Sequence, residues 1–349
     1  MKRIFGLQTA AGFKLFAALG AVVLAIAAAE LAYGPVSLSL SEVSSAILGW
    51  GDASSTAIVT QIRAPRLLLG IAVGTALALS GCALQGVLRN PLADPGLIGV
   101  TGGASVGAAA TIVLGDALAL ELPREIRPYL LPVSAFLGCA LVTSFVFRLS
   151  RHAGTTSVAT LILAGVAINA IAGAAIGVMV YISDDRQLRD LTFWTMGSLG
   201  GANWTMVAVT LAVVSVAAAA LATLGRALDL FQIGERAAFH SGLNVERTKR
   251  NIALLSAIAV GGATAAAGPI GFIGLVAPHM ARLIIGPSHR LVLPASALLG
   301  MGLLLGSDLA VRNIVPPAEP PIGLATSLIG GPFFLWLLLT RMKGRGLVA

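Results

Sequence analysis

Long apolar runs, separated by short polar or proline-bearing breaks, make up most of this chain. Runs of about 17 to 25 residues are what a helix needs to cross a bilayer, because about 20 apolar residues span the hydrocarbon core. Ten can be marked, at 13–33, 64–87, 96–115, 129–149, 157–182, 203–225, 251–267, 270–285, 291–310 and 322–340. The eighth is short and is punctuated by Pro269 and Pro278. The first follows Met1-Lys2-Arg3 and superficially looks like a secretory signal. Its length, the Lys14 at its start and the spans that follow it predict a retained helix instead. The expected fold is an all-α integral membrane protein with ten transmembrane helices, forming one transmembrane domain over 1–349.

Composition agrees with lipid as the main solvent. Of 349 residues, 57% are hydrophobic and only 11% charged, and the mean hydropathy is +0.91, whereas soluble domains carry about 25% charged residues. The formal charge of +8 suggests loops facing a cytoplasm. It does not suggest nucleic acid, since no basic tract stands apart from the spans. With the N-terminus inside, about 16 cations fall on the inner side against about 7 outside (Arg63, Arg66, Arg124, Arg127, Arg186, Arg189 and Arg312). The inner set runs from Lys2, Arg3 and Lys14 through Arg89, Arg148, Arg151, Arg226, Arg236, Arg247, Lys249, Arg250, Arg282 and Arg290 to Arg341, Lys343 and Arg345. Both termini are therefore expected in the cytoplasm. Cys82 and Cys139 sit alone in apolar runs and read as packing residues, with no disulfide or metal pattern.

Glycine recurs at small-xxx-small spacing in the pairs Gly70/Gly74, Gly103/Gly107, Gly173/Gly177 and Gly302/Gly306. Such pairs let helix backbones approach closely in lipid. A faint internal echo links two interrupted stretches. Leu79 to Gly86 runs into the proline-punctuated Asn90 to Gly99, and Val260 to Ala263 runs into Gly268 to Leu275. Interrupted helices at corresponding places in two halves are a transporter feature.

Three further features carry chemistry. The inner loop at about 226–250 contains a short amphipathic helix signal, a stop at Gly242 and a second polar segment. It reads either as a docking surface for a soluble motor or as an ordinary solvated loop. No G-x-x-x-x-G-K-[ST] occurs, so an ATP-driven process would need its ATPase on another chain. Arg63, Arg66 and Arg312 run against the inner-side bias. They either snorkel to lipid phosphates or receive acidic groups of a partner or substrate. Asp308 is placed to pair with Arg312 at i, i+4.

Several motifs in order then resemble one family. Arg63-Ala64-Pro65-Arg66-Leu67, Gly81 to Gln85, Arg89-Asn90-Pro91-Leu92-Ala93-Asp94-Pro95-Gly96, Leu163 to Asn169, Phe193 to Leu199, Gly268 to His279 and Pro321-Ile322-Gly323 resemble the permease subunits of ABC importers for vitamin B12, ferric siderophores and haem. The resemblance spans about 60 to 340. It implies a homodimer with the path at its interface, two ATP-binding subunits below, a periplasmic substrate-binding protein above, and residence in a bacterial inner membrane. ATP and Mg would then sit on the ATPase, with no cofactor in this chain and no enzymatic activity. It also implies coupling helices between spans 6 and 7 that carry Gly234, Glu235, Arg236, Ala237, Ala238, Phe239, Gly242 and Leu243. The same resemblance matches Arg63, Arg66 and Arg312 to arginines that receive glutamates of the binding protein.

The expected path residues are Ser157, Thr160, Asn169, Gly173 and Met179. Asn169 is the strongly polar residue in the middle of its span, and it reads equally as an interhelical hydrogen bond. His279 reads as structural, and His152, His240 and His289 fall in inner loops. The stretch Phe193 to Ala202 looks most like haem permeases, so haem is the expected cargo and ferric siderophore the runner-up, with cobalamin third. An ion-coupled secondary transporter would carry buried carboxylates deep in its helices; only Glu30 and Asp308 come near, both close to helix ends. No nucleophile and base pair or HExxH pattern falls within the spans, which argues against an intramembrane enzyme.

Overall fold

The computed structural model describes residues 2–119, 122–152, 155–314 and 319–344, so Arg345 of the inner cation set lies outside the described residues. In chain order the helices are α1 (Lys2–Ala32), α2 (Leu40–Leu48), α3 (Ala53–Ala57), α4 (Ala64–Val87), α5 (Val100–Ala119), α6 (Arg127–Leu149), α7 (Val158–Ile182) and α8 (Asp185–Thr195). They continue with α9 (Trp204–Thr223), α10 (Gly225–Ile233), α11 (Glu235–His240), α12 (Val245–Ala267), α13 (Ile273–Ile285), α14 (His289–Ile314) and α15 (Ile322–Gly344). A two-residue antiparallel pairing, Arg151–His152 with Thr155–Thr156, joins α6 to α7.

Each of the ten predicted runs holds one of these helices (α1, α4, α5, α6, α7, α9, α12, α13, α14 and α15), and the chain is a polytopic all-α membrane protein. Among the described residues seven stretches are long and apolar enough to cross a membrane, while Val100–Gly115, Ile273–Ile285 and Ile322–Leu337 are shorter. Several boundaries move: α1 begins at Lys2, α5 is shifted to Val100–Ala119 and α14 runs on to Ile314, and the starts of α4 and α12 also change. α4 continues backward through a π-helical turn at Ile58–Arg63 into α3, giving 35 residues from Ala53 to Val87. α12 begins six residues before the predicted start, its N-cap being the Asn244 side chain bonded to Arg247 N at 3.0 Å.

α4 is the centre of the bundle. In its most apolar stretch 83% of residues are buried, against 11% in α1 and 22% in both α6 and α7. It packs on α14, α12, α9 and α13, whereas α1, α6 and α7 leave apolar faces open to lipid or to another chain.

Two of the four predicted glycine pairs make the close approaches expected of them. A Cβ on Gly74 would lie 2.6 Å from the Gly300 carbonyl of α14, and one on Gly103 would lie 2.4 Å from the Gly138 carbonyl of α6. Their partners Gly70 and Gly107 are also closely packed. Gly173, Gly177 and Gly306 instead face open space, and Gly302 makes only ordinary contact with Val23 and Ile26. Spacing places two glycines on one helix face but does not say what that face meets.

Candidate translocation site and coupling surface

The two stretches linked by the internal echo meet inside the bundle. After α4 the chain turns through Asn90 and Pro91 to Asp94, whose carboxylate accepts from Gly96 N at 2.8 Å and caps a 3-10 turn at Pro95–Ile98. After α12 the chain breaks at Gly268, whose φ of +70° is left-handed. It restarts as α13 behind Phe272, a non-glycine residue held at φ +68°. A Cβ on Gly81 of α4 would lie 1.9 Å from the Gly274 carbonyl, so the second break presses directly on the helix that precedes the first.

Irregular backbone is tolerated within a membrane bundle where it lines a polar cavity. Such a cavity, of about 630 Å³, lies here, and its walls include Asp94, Gly96, Ser105, Asn169, Gly173, Pro269 and Gly271. Asn169 Nδ2 donates to the Gly96 carbonyl at 2.8 Å, a second bond to an oxygen that also accepts from Gly99 N at 3.1 Å, and so ties α7 to the first break. Asn169 therefore bonds between elements, one of the two readings the sequence allowed, and also stands in the wall of the cavity. Gly173 follows one turn later on α7.

The other three path residues are not brought there. Ser157 is the N-cap of α7, accepting from Thr160 N at 3.3 Å and from the Thr160 hydroxyl at 3.0 Å. Met179 packs beside Ala109, Val113 and Leu191 in a small apolar cluster under α8. All belong to α7 or its cap, but the face that meets the breaks runs through Gly165, Asn169, Gly173 and Ile176, away from these three.

At one end of the bundle Arg63, Arg66 and Arg312 belong to a buried cluster of charges. Arg66 donates to both Asp308 oxygens, at 2.8 and 2.9 Å, and to Glu319 at 2.6 Å. Arg312 donates to the Glu30 carboxylate at 2.6 Å and to the Glu30 carbonyl at 2.9 Å. Arg63 donates to the carbonyls of Leu31, at 2.6 Å, and Ala32, at 2.8 Å, and also to that of Val36. All three arginines are buried. The predicted Asp308–Arg312 pair does not form, because each side chain finds an opposite charge on a neighbouring helix. Glu30 and Asp308, the two carboxylates considered for ion coupling, are bound to these arginines.

At the opposite end, two short helices, α10 and α11, separate α9 from α12. Leu228 and Phe231 anchor α10 in the core. Gly242, at φ +86°, stops the chain after α11 as its position suggested. Lys249 holds α11 to the bundle. Its buried ammonium donates to Glu235 at 2.8 Å, to the Thr156 carbonyl at 3.2 Å and to Glu246 at 3.4 Å. Of the predicted coupling residues, Arg236, Ala237, Phe239 and Gly242 are exposed, and Gly234 and Glu235 are half-buried. Ala238 is fully buried, and Leu243 packs against the core, so these two face inward. The second predicted segment is the first turns of α12 itself.

His279 is buried against α15, with ring centroids 5.9 Å from Phe333 and 6.4 Å from Phe334. His289 bonds Gln232 at 2.8 Å and Asp229 at 3.2 Å. The side chain of His152 lies outside the described residues. Cys82 and Cys139 are buried packing residues.

Comparison with known proteins matches residues 21–340 to the FecCD transport family. The chain is 44% identical over 327 residues to the hemin transport system permease protein HmuU of Yersinia pestis, covering 93% of this chain and 94% of that one. It is 40% identical over 284 residues to the cobalamin import system permease protein BtuC of Halobacterium salinarum, covering 81% and 74%. A solved metal-chelate type ABC transporter in an inward-facing conformation superposes with a TM-score of 0.83 at 31% identity, over 94% of this chain and 99% of that one. The polytopic bundle, the interrupted helices around a polar cavity and these relatives agree: the chain belongs to the FecCD transport family, as a membrane-spanning permease subunit of an ABC importer that leaves ATP hydrolysis to a separate chain.

Proposed function

We propose that this permease imports haem, passing it from a periplasmic binding protein to the cytoplasm by alternating access. It works as a homodimer on two ATPase subunits that carry the ATP and Mg, in a bacterial inner membrane with both termini cytoplasmic. The observation that carries the transport path is the polar cavity where the two helix breaks meet beside Asn169 and Gly173. It adjoins α7, whose remaining face is open for a second copy. The cargo rests on likeness: the hemin permease matches at higher identity and over more of this chain than the cobalamin permeases do.

The arginines keep a docking role in this reading, but only by exchange. Glu319 is the partly exposed member of the outer cluster, so a carboxylate of the binding protein reaches Arg66 by displacing it. On the inner side, Phe239 and Arg236 present α11 to the ATPase, and Lys249 passes its movement to α12. Each transport state needs a few kcal/mol of differential affinity, since binding both states equally shifts nothing.

The test is ATP-dependent uptake in proteoliposomes that contain this chain and its ATPase, supplied with binding protein loaded with haem, a ferric siderophore or cobalamin. Haem accumulation supports the proposal. Uptake of only the siderophore or cobalamin keeps the importer and overturns the cargo.

A further inference from the structure

Away from the path, four arginines from three separate segments converge on one cavity at the inner end of the bundle. Arg148 comes from the last turn of α6, Arg151 from the short strand pairing, and Arg247 and Arg250 from the start of α12. The cavity measures about 620 Å³. Among the described residues, none of the four makes an ion pair with a carboxylate. The acid in the lining, Glu246, already accepts from Thr156 N at 2.8 Å and from Lys249 at 3.4 Å. Four guanidinium groups around one opening repel each other and raise the local concentration of anions.

A second, narrower cavity of about 240 Å³ runs on from this one between α6 and α12. It is walled by Phe136, Ala140, Leu254 and Ile258, and it shares Phe147 and Arg250 with the arginine cavity. The adjoining face of α6 exposes Leu137, Leu141 and Phe145, as a lipid-facing surface does. An anion pocket at the cytoplasmic end of an apolar groove has the shape and polarity of one molecule.

We propose that this paired cavity binds an anionic phospholipid, its phosphate among Arg148, Arg151, Arg247 and Arg250 and one acyl chain in the groove between α6 and α12. Basic pockets between helices on the cytoplasmic side take such headgroups, each nearby Lys or Arg contributing about 1 kcal/mol. A choline headgroup carries its own cation against the arginines and is disfavoured. An acidic side chain of the ATPase would answer the arginines but leave the groove empty. The bound lipid ties the foot of α12, which Lys249 links to α11, to the last turn of α6.

The test uses the full chain with its ATPase, purified in detergent, offered equal amounts of phosphatidylglycerol and phosphatidylcholine and read by native mass spectrometry. The expected result is phosphatidylglycerol retained more than tenfold over phosphatidylcholine. Combined Arg148→Gln, Arg151→Gln and Arg250→Gln substitution weakens retention roughly a hundredfold, about fivefold per arginine at ~1 kcal/mol each. Ala140→Trp keeps every arginine but fills the groove, and it also loses the lipid. Thermal melting without added lipid verifies that each variant is folded. Equal retention of the two lipids overturns the proposal, as does undiminished retention by folded variants. Displacement by water-soluble glycerol phosphate would make this a phosphate site instead, and lipid bound only after the ATPase is removed would make the arginines its contact; either result also overturns the proposal.

Discussion

Replacing Arg66 by methionine keeps the aliphatic stem and removes the charge, which isolates what the outer cluster contributes to stability. In the native chain the guanidinium engages both oxygens of Asp308, and the two side chains are 7% and 2% exposed. Without it Asp308 is a buried carboxylate lacking its cation, and Arg312, one turn further along α14, is already bound to Glu30. Breaking a buried pair from one side costs about 3–5 kcal/mol. The lost contact with the 40%-exposed Glu319 adds at most ~1 kcal/mol. Arg66→Met should therefore destabilise by about 3–6 kcal/mol. Arg66→Met with Asp308→Leu should recover most of that, because no buried charge is left unpaired and the remaining Glu319 is 40% exposed. Equilibrium unfolding in mixed detergent and SDS micelles measures both. A single substitution costing under ~1 kcal/mol, or a double no more stable than the single, would refute the reasoning.

Gly81→Ala places a Cβ 1.9 Å from the Gly274 carbonyl, where only backbone can give way; the expected cost is about 1–3 kcal/mol, against none for Gly173→Ala in open space, read by thermal unfolding. Lys249→Met frees Glu235 from α12, so stimulation of the ATPase by loaded binding protein should fall severalfold while binding-protein affinity is kept; unchanged stimulation would contradict the clamp. The Ser39 hydroxyl, helped by its backbone N–H, holds the Glu42 carboxyl below its ordinary value, and Ser55 does the same for Asp52. Carboxyls lowered by folding stabilise above their unfolded values and lose that contribution as pH falls through the folded ones. Amide protection across 40–57, taken relative to the intrinsic exchange rate at each pH, should accordingly fall below about pH 4 compared with pH 6, and equal protection would count against these caps. Cys82 and Cys139 should resist maleimide in the native chain and label fully in SDS, both being buried.

What could be read from the sequence follows from the solvent. Lipid demands apolar runs of fixed length, so all ten runs hold helices, and four of the cations assigned to one side, Arg148, Arg151, Arg247 and Arg250, line one cavity. Lipid also hides which face is inward, because a helix wall facing tails is as apolar as one facing the core. That is why Gly173 and Gly177 looked like Gly103 and Gly107, and why Met179, which packs in an apolar cluster, was grouped with Asn169. Local spacing favoured Asp308 with Arg312; the actual partner, Arg66, is 242 residues away. Two elements left unmarked did carry a signal. Asp184 with Gln187 and Ser39 with Glu42 are capping boxes that announce α8 and α2.

The most direct measurement concerns the cavity as the route. Gly173 has open space around it, so Gly173→Cys is tolerated, and the two native cysteines are buried. In proteoliposomes with the ATPase and haem-loaded binding protein, labelling of Gly173→Cys by a membrane-impermeant maleimide should change when ATP is added, and labelling should block haem uptake. Labelling indifferent to ATP, with uptake intact after modification, would contradict the assignment of this cavity to the transport path.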